Sequence, residues 1–241
     1  MNSQHLHYLK AMDIDVWVRK DRPQQDAPLV AVDHQVAVVA QPNDTALQLP
    51  PGLSWDQLAN TVRHCVHCEL HQTRKQTVFG VGNLRAEWMI IGEAPGADED
   101  LQGEPFVGRA GQLLNAMLQA MGFPREQVYI ANLLKCRTPH NRDPKPDEVA
   151  RCASYLTRQI EMINPRIILC LGGIAAQNLL NTDSAIGQLR GHVHFLGEKR
   201  RPVVVTYHPA HLLRSPSDKT KAWQDLQLAL ATYAQTESKP A

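Results

Sequence analysis

Two segments with the capacity for chemistry combine polar side chains with loop-forming residues. Residues 92–111 hold Glu93 and Glu99 among five glycines and two prolines, a composition typical of a tight loop whose backbone a ligand can approach closely. Residues 131–142 place Asn132 in an apolar stretch, where a buried amide needs hydrogen-bond partners. A solvated acidic loop and an amide bonded to a neighbouring loop are the structural alternatives.

A third segment, residues 208–216, carries two histidines three positions apart and an arginine. The histidines could be metal ligands, but no third ligand lies nearby in the sequence. Carboxylates, an amide and imidazoles could instead surround a planar polar ligand. The acids of the first segment disfavour a nucleoside triphosphate, because like charges would repel.

Cysteine spacing points to a bound metal or cluster. Cys65 and Cys68 form a CxxC pair, and Cys136 and Cys152 follow downstream. Four thiols can hold an iron–sulfur cluster or a structural zinc ion, and spacing alone does not separate the two. Cys170 has apolar neighbours and is interpreted as a core thiol.

The elements that must position these residues alternate along the chain. The pattern predicts strands at 88–91, 128–134, 166–171 and 202–207, and helices at 55–65, 111–121, 146–163, 174–180 and 221–233. Short apolar strands between helices indicate an α/β protein with a short, mostly parallel, four-stranded sheet that is covered on both faces. Ligands of such folds bind beyond the carboxyl ends of the strands, where all three polar segments begin.

Composition limits the remaining possibilities. The chain has 241 residues, 43% of them hydrophobic, enough for one sizeable domain. The spacing would allow a short helix within residues 1–20 and one strand within 29–40, but the surrounding prolines favour a loosely ordered N-terminal extension or linker over residues 1–52. We expect a domain over 53–235 and a tail over 236–241. No apolar run reaches the roughly 18 to 20 residues that span a bilayer, and no secretory signal is evident. A cytoplasmic location is therefore expected.

With these motifs in this order, the sequence resembles the family 4 uracil-DNA glycosylases, the iron–sulfur branch of their superfamily. The resemblance covers roughly residues 53–235. It rests on GEAPGADED at 92–100, GEPFVGRAGQLL at 103–114, YIANLLKCRTPHNR at 129–142 and HPAHLLR at 208–214. Several ordered motifs are far more specific than one. The resemblance implies a three-layer α/β/α sandwich and a [4Fe–4S] cluster in place of zinc, with the ligands Cys65, Cys68, Cys136 and Cys152.

The resemblance also implies an activity and the residues that perform it. A monofunctional enzyme would flip uracil out of DNA and hydrolyse its N-glycosidic bond, leaving an abasic site and initiating base excision repair. Carried over by motif, Phe106 stacks on uracil, Asn132 reads its edge and His208 donates to O2, where negative charge develops. Glu93, Glu99 and Asn141 are implied to line the pocket and position the attacking water.

One departure leaves the water-activating residue open. Ala94 stands where the related family 1 enzymes carry an aspartate. Glu99 and Asn141 are our candidates for the base, and Glu93 is expected to be more structural. Glu99 is also our candidate for the steric exclusion of thymine.

The expected partner is uracil-containing DNA, single- or double-stranded, bound by a monomer. Leu212, Leu213 and Arg214 are implied to form the wedge and clamp at the duplex. Because the net charge is only +1, affinity must come from local cations. These are expected at Arg137, Arg142, Lys199, Arg200, Arg201, Arg214 and Lys219, although ordinary surface charge is the simpler explanation for residues 199–201. Residues 1–50 could bind a repair or replication partner.

Two other interpretations stay open at this stage. One is a non-catalytic or covalently trapping DNA-binding relative on the same fold, and the other is a zinc-stapled interaction protein. The trapping branch carries a basic insertion with a histidine after the first motif. Residues 103–111 show no such insertion, so turnover is favoured.

Overall fold

The structure, a computed structural model, describes residues 47–237. The N-terminal extension, with the helix and the strand considered within residues 1–40, lies outside the described residues. The described strands are β1 (Val81–Gly82), β2 (Trp88–Gly92), β3 (Tyr129–Asn132), β4 (Ile167–Leu171), β5 (Val193–Leu196) and β6 (Arg201–Thr206). The described α-helices are α1 (Trp55–Arg63), α2 (Ala97–Gln102), α3 (Arg109–Ala120), α4 (Pro146–Ile163), α5 (Gly173–Leu180), α6 (Ile186–Leu189), α7 (Pro209–Arg214) and α8 (Lys219–Glu237).

The strands form one mixed sheet in the order β1-β3-β2-β4-β6-β5. The four inner strands run parallel, while β1 and β5 pair antiparallel at the two edges. The α/β class is therefore confirmed, but the expectation of four strands is wrong because the described sheet has six. The edge strands escaped prediction because β1 is only two residues long and β5 alternates between buried and half-buried positions. Neither has the continuous apolar run of a strand that is buried on both faces.

Helices cover both faces of the sheet, which confirms the three-layer sandwich. Helices α1, α4 and α5 pack on the face that carries Met89 and Ile91. Helices α3, α7 and α8 pack on the face that carries Trp88 and Ile90. Successive residues of a strand point to opposite faces, so each inner strand must be apolar throughout. None of the helices described between residues 47 and 237 has the length and hydrophobicity to cross a membrane.

The end of helix α1 places the CxxC pair, and the last helix extends beyond the expected domain. The Oγ atom of Ser54 accepts a hydrogen bond from the backbone amide of Gln57 at 3.2 Å, which caps the start of α1. Helix α1 ends at Arg63, so Cys65 and Cys68 lie in the turn that follows it. Helix α8 continues to Glu237, two positions beyond the expected end of the domain at residue 235.

Candidate active site

The polar segments meet at one end of the sheet, where the parallel strands have their carboxyl ends. Strand β2 ends at Gly92, β3 at Asn132 and β6 at Thr206, and these strands all run in the same direction. The segments that follow β2, β3 and β6 therefore leave the sheet at the same end, with β4 lying between β2 and β6. This is the end at which the sequence predicted a binding site.

Gly92 is the point at which the aromatic ring and the amide meet. A Cβ atom at Gly92 would lie 2.7 Å from Cζ of Phe106 and would also collide with Oδ1 of Asn132. The Phe106 ring centroid lies 5.4 Å from that of the His208 imidazole, with an interplanar angle of 31°. The structure therefore brings together Phe106, Asn132 and His208, the three residues expected to bind uracil.

Phe106 adopts a backbone conformation that is unfavourable for its type. Its φ is 56°, in the left-handed region, which costs a bulky residue about 1–3 kcal/mol. The chain is held on both sides of it: the Arg125 guanidinium donates to the carbonyl oxygen of Pro105 at 2.5 Å, and Glu99 Oε1 accepts from the next two backbone amides at 2.9 and 3.2 Å. These bonds fix the ring against the strand ends.

Glu99 is committed to this loop. Its second oxygen, Oε2, accepts from the amide of Gly96 at 3.0 Å, so the carboxylate receives three backbone hydrogen bonds in all. These bonds occupy both oxygens of the carboxylate and fix its orientation toward its own loop. The geometry favours an anchoring role for Glu99 over the water-activating role expected from the sequence.

Glu93, which was expected to be more structural, has the environment of a general base. Burial and the neighbouring charge of Asp143 raise the pKa of the Glu93 carboxyl to about 7. Within residues 47–237, the Glu93 carboxylate has no hydrogen-bond or ion-pair partner. A half-buried carboxylate poised near neutral pH is the group expected of a general base. The structure thus favours Glu93 over Glu99 and Asn141.

Asn141 lies in the segment that follows β3 and is exposed. Its Oδ1 accepts a hydrogen bond from Nε of Arg137 at 2.8 Å. Asn141 and the preceding His140 both have positive φ, at 53° and 55°, and such strained pairs often mark functional loops. The amide oxygen of Asn141 is therefore already partnered by Arg137.

His208 is held as a neutral imidazole with a defined tautomer. Its Nδ1 accepts a hydrogen bond from the amide of Ala210 at 3.1 Å, so the single proton of the neutral ring resides on Nε2. Burial, with a smaller contribution from the charge of Arg214, lowers the pKa of His208 to about 4. At neutral pH, His208 can donate one hydrogen bond through Nε2 and carries no charge.

The expected DNA-contacting residues separate into two groups. Leu213 is 38% exposed, whereas Leu212 is completely buried in the core beneath the sheet and is not positioned to enter a duplex. Arg214 is exposed. Arg142 donates to both carboxylate oxygens of Glu148, at 2.9 and 2.5 Å, so its charge is largely compensated within the protein.

The cations at residues 199–201 do not lie at the candidate site. Arg201 is the first residue of β6 and His208 follows the last one, so this turn lies at the opposite end of the strand from His208. There Lys199 and Arg201 donate to Oδ1 of Asn164 at 3.3 and 2.9 Å, beside a cavity of about 740 Å³. Lys219 is buried at the start of α8. The expectation that Lys199, Arg200 and Arg201 lie around the sheet mouth is wrong, because this turn leads into the start of β6. For Lys219, burial leaves little of the side chain exposed to a ligand.

The four cysteines expected to bind a cluster come together beside the site. Cys136 and Cys152 are buried, and Cys65 and Cys68 pack against the same core. Cys65 and Cys68 act electrostatically on Cys136, and Cys65 and Cys136 act on Cys152, so the four thiols lie near one another. Nη1 of Arg74 donates to Sγ of Cys136 at 3.0 Å, and the amide of Lys135 donates to Sγ of Cys152 at 3.3 Å. Burial raises the pKa of the Cys136 thiol to about 11 and that of Cys152 to about 12.

This donor set fits a group that brings positive charge to thiolates. Iron–sulfur clusters and zinc both bind cysteine as thiolate, and N–H donors to sulfur stabilise that form. In the part of the chain that the structure describes, no three His, Cys, Asp or Glu side chains are close enough to share a single metal ion. Cys170 lies apart from the set, buried within β4.

Several residues that shape the site were not singled out from the sequence. Asp143 acts on Glu93 through charge, Arg125 holds the Phe106 loop, and Arg74 donates to a cysteine. Each lies many residues from the group it serves or in a segment without a motif. The sequence offered one signal of a buried polar contact: Lys135 directly follows the largely apolar stretch 128–134.

The fold is an α/β/α sandwich, and its site combines an aromatic ring, an amide and a neutral imidazole at the carboxyl ends of the parallel strands. Together they define a class of protein that binds a planar, polar ring. The family model described as the uracil DNA glycosylase superfamily matches residues 79–227. The chain belongs to this superfamily and, within it, to the type-4 uracil-DNA glycosylases.

Three relatives support that placement. The type-4 uracil-DNA glycosylase of Archaeoglobus fulgidus is 48% identical over 169 residues, which are 68% of this chain and 85% of the relative. That of Saccharolobus solfataricus is 46% identical over 67% of this chain and 78% of its own length. That of Thermotoga maritima is 43% identical over 68% of this chain and 85% of its own length.

Proposed function

We propose that this chain is a monofunctional uracil-DNA glycosylase, which hydrolyses the bond between uracil and deoxyribose in DNA and so initiates base excision repair. The observation that carries the proposal is the convergence of Phe106, Asn132 and His208 at the strand ends. Relatives that are 43–48% identical and are named type-4 uracil-DNA glycosylases support it.

The pocket residues would recognise a uracil that has left the stack. Extrusion costs a few kcal/mol, and stacking on Phe106 would return about 1–3 kcal/mol. Asn132 Oδ1 is buried and has no hydrogen-bond partner among the described residues. The amide would accept from N3–H of uracil and donate to O4. Cytosine reverses both groups, so each mismatch would leave a buried polar atom unpaired at about 1–3 kcal/mol.

Two residues would act on the breaking bond. As the bond between C1′ and N1 breaks, uracil takes the electron pair and becomes an anion with charge on O2. The Nε2–H of His208 would donate to O2, a contribution of about 2.7–4 kcal/mol for one such donor. Glu93 would accept a proton from the water that adds to C1′ and would stabilise the developing cationic sugar. A neutral His208 suffices, since the hydrogen bond alone favours the anion.

Leu213 and Arg214 would contact the DNA from the exposed part of α7. Leu213 is the proposed wedge that fills the space left by the extruded base. Leu212, which the resemblance also implied as a wedge, would have to leave the core to reach DNA. We therefore assign the wedge to Leu213 alone.

The activity is tested with oligonucleotides that carry one uracil opposite guanine, opposite adenine or in a single strand. We expect uracil release and strand cleavage after alkali with all three, and no release from matched cytosine or thymine substrates. His208→Ala is the matched variant and should release uracil far more slowly. Intact strands after prolonged incubation would refute the proposal, and a covalent adduct on a denaturing gel would favour the trapping alternative.

We further propose that Cys65, Cys68, Cys136 and Cys152 hold a [4Fe–4S] cluster. When bound, such a cluster supplies a cross-link between the turn after α1, the loop after β3 and helix α4. Support comes from the shared packing of the four thiols and from the N–H donors directed at two of them. A structural role is proposed, with no redox step.

Iron and acid-labile sulfide per chain test the cluster. We expect both in anaerobically purified protein, their loss in Cys152→Ser and their retention in Cys170→Ala, the matched control. Protein that contains zinc and no iron would contradict the cluster. Binding as a monomer, a cytoplasmic location and a partner for residues 1–50 stay predictions from the sequence.

A further inference from the structure

A fully buried lysine lies between the candidate uracil pocket and the cysteines. Lys135 is 1% exposed, and its Nζ donates to the backbone oxygen of Asn132 at 2.9 Å and to Oε1 of Gln159 at 2.6 Å. Lysine is almost never fully buried unless its ammonium group is partnered. The mechanism proposed above makes no use of this side chain.

Lys135 and Gln159 fill a gap at the edge of the sheet. Strands β1 and β3 pair at Val81 with Ile130 and at Gly82 with Tyr129, and this register would continue to Phe79 opposite Asn132. The described ladder stops before that pair. Instead, the Asn132 oxygen receives the Lys135 ammonium, and the Phe79 oxygen receives Nε2 of Gln159 at 3.0 Å. The two side chains thus replace the missing strand-to-strand bonds.

The same side chains connect β3 to helix α4. Gln159 belongs to α4, two turns beyond Cys152, and its Nε2 also lies 3.2 Å from the Tyr129 hydroxyl. The backbone amide of Lys135 donates to Sγ of Cys152. The end of β3 is therefore tied to α4 through one buried polar network.

We propose that Lys135, together with Gln159, is a positioning residue that fixes the end of β3 and so directs the Asn132 amide toward uracil. The amide needs such support, because its Oδ1 has no hydrogen-bond partner of its own in residues 47–237. A buried, satisfied network can hold its members in one geometry more strictly than isolated bonds. This inference rests on the proposed uracil excision.

A double-mutant cycle tests whether Lys135 acts through Asn132. Lys135→Met is made in the wild-type and in the Asn132→Ala backgrounds, and single-turnover uracil release and the Kd of free uracil are measured in each. In the wild-type background we expect Lys135→Met to lower the rate of uracil release and to raise the Kd of uracil, each by about 10- to 100-fold. In the Asn132→Ala background, both quantities should change by less than about threefold. Lys199→Met is the matched control, because Lys199 lies at the amino ends of the parallel strands, away from the candidate site. It should change neither the rate of uracil release nor the Kd of uracil.

Equal losses in both backgrounds, or no loss in either, would overturn the inference. Iron content is measured for every variant, so that loss of a cluster is not mistaken for misplacement of Asn132. Should Lys135→Met fail to fold or lose iron, Gln159→Leu decides in its place, because the hydrogen bonds of Gln159 within residues 47–237 go to Lys135, Phe79 and Tyr129 and not to a cysteine. Wild-type protein without uracil release would instead refute the proposed function itself.

Discussion

The proposed base can be tested by removing its charge. Burial and the charge of Asp143 place the pKa of Glu93 at about 7, so about half of the molecules carry the carboxylate at that pH. Because the base must be deprotonated, the rate should rise with pH through about 7 and level off above it. Below the pKa the rate should fall about tenfold per pH unit. Glu93→Gln should lower the rate by about 10²- to 10⁴-fold, the usual contribution of a general base.

Single-turnover uracil release from about pH 5 to about pH 9 provides the assay, with enzyme below saturation so that the ionisation of the free protein is observed. Removing a neighbouring negative charge stabilises a carboxylate, so Asp143→Asn should move the rising limb to lower pH. His208 does not confuse the profile, since its pKa of about 4 lies well below that limb. A Glu93→Gln enzyme within about twofold of wild type, or one that keeps the same limb, would refute the assignment.

Other predictions follow from contacts at the site. His208→Ala should lower kcat by about 10²- to 10³-fold for loss of one donor to the leaving anion, with far-ultraviolet circular dichroism unchanged; a rate near wild type would contradict its role. Gly92→Ala should lower kcat/KM by about 10²-fold, because the new methyl group displaces Asn132 and misplaces the substrate. Arg142→Met should lower the melting temperature at neutral pH by leaving the Glu148 carboxylate unpaired. Arg142 lowers the pKa of Glu148, so this stabilisation exists above the unfolded carboxyl's pKa and fades as pH falls; thermal unfolding that shows an equal deficit at about pH 4 would contradict it.

The sequence predicted the inner sheet well because buried parallel strands are apolar on both faces. Strand β4 and helix α4 appear where expected. The edge strands were missed, since pairing at an edge depends on neighbours rather than on local composition. The terminal helix was placed too short because its outer turns carry polar residues that do not follow the apolar pattern.

The sequence could name the site residues through their motifs but could not rank them. Which of Glu93 and Glu99 is the freer carboxylate depends on three backbone amides that approach Glu99 from its own loop. Likewise, whether Leu212 or Leu213 meets solvent depends on how α7 rotates onto the sheet. Burial and hydrogen bonding are properties of the folded chain, and identical residue types in one motif can acquire different roles from them.

Phe106 combines an unfavourable backbone conformation with a buried side chain. A glycine at that position would adopt a φ of 56° without steric cost, but it would lose the packing of a ring that is part of the hydrophobic core. The cost of the backbone conformation is therefore offset by the packing of the ring and by the bonds from Arg125 and Glu99. A platform fixed in advance leaves little ordering to be done when a base arrives, so selection among bases can occur on contact rather than after rearrangement.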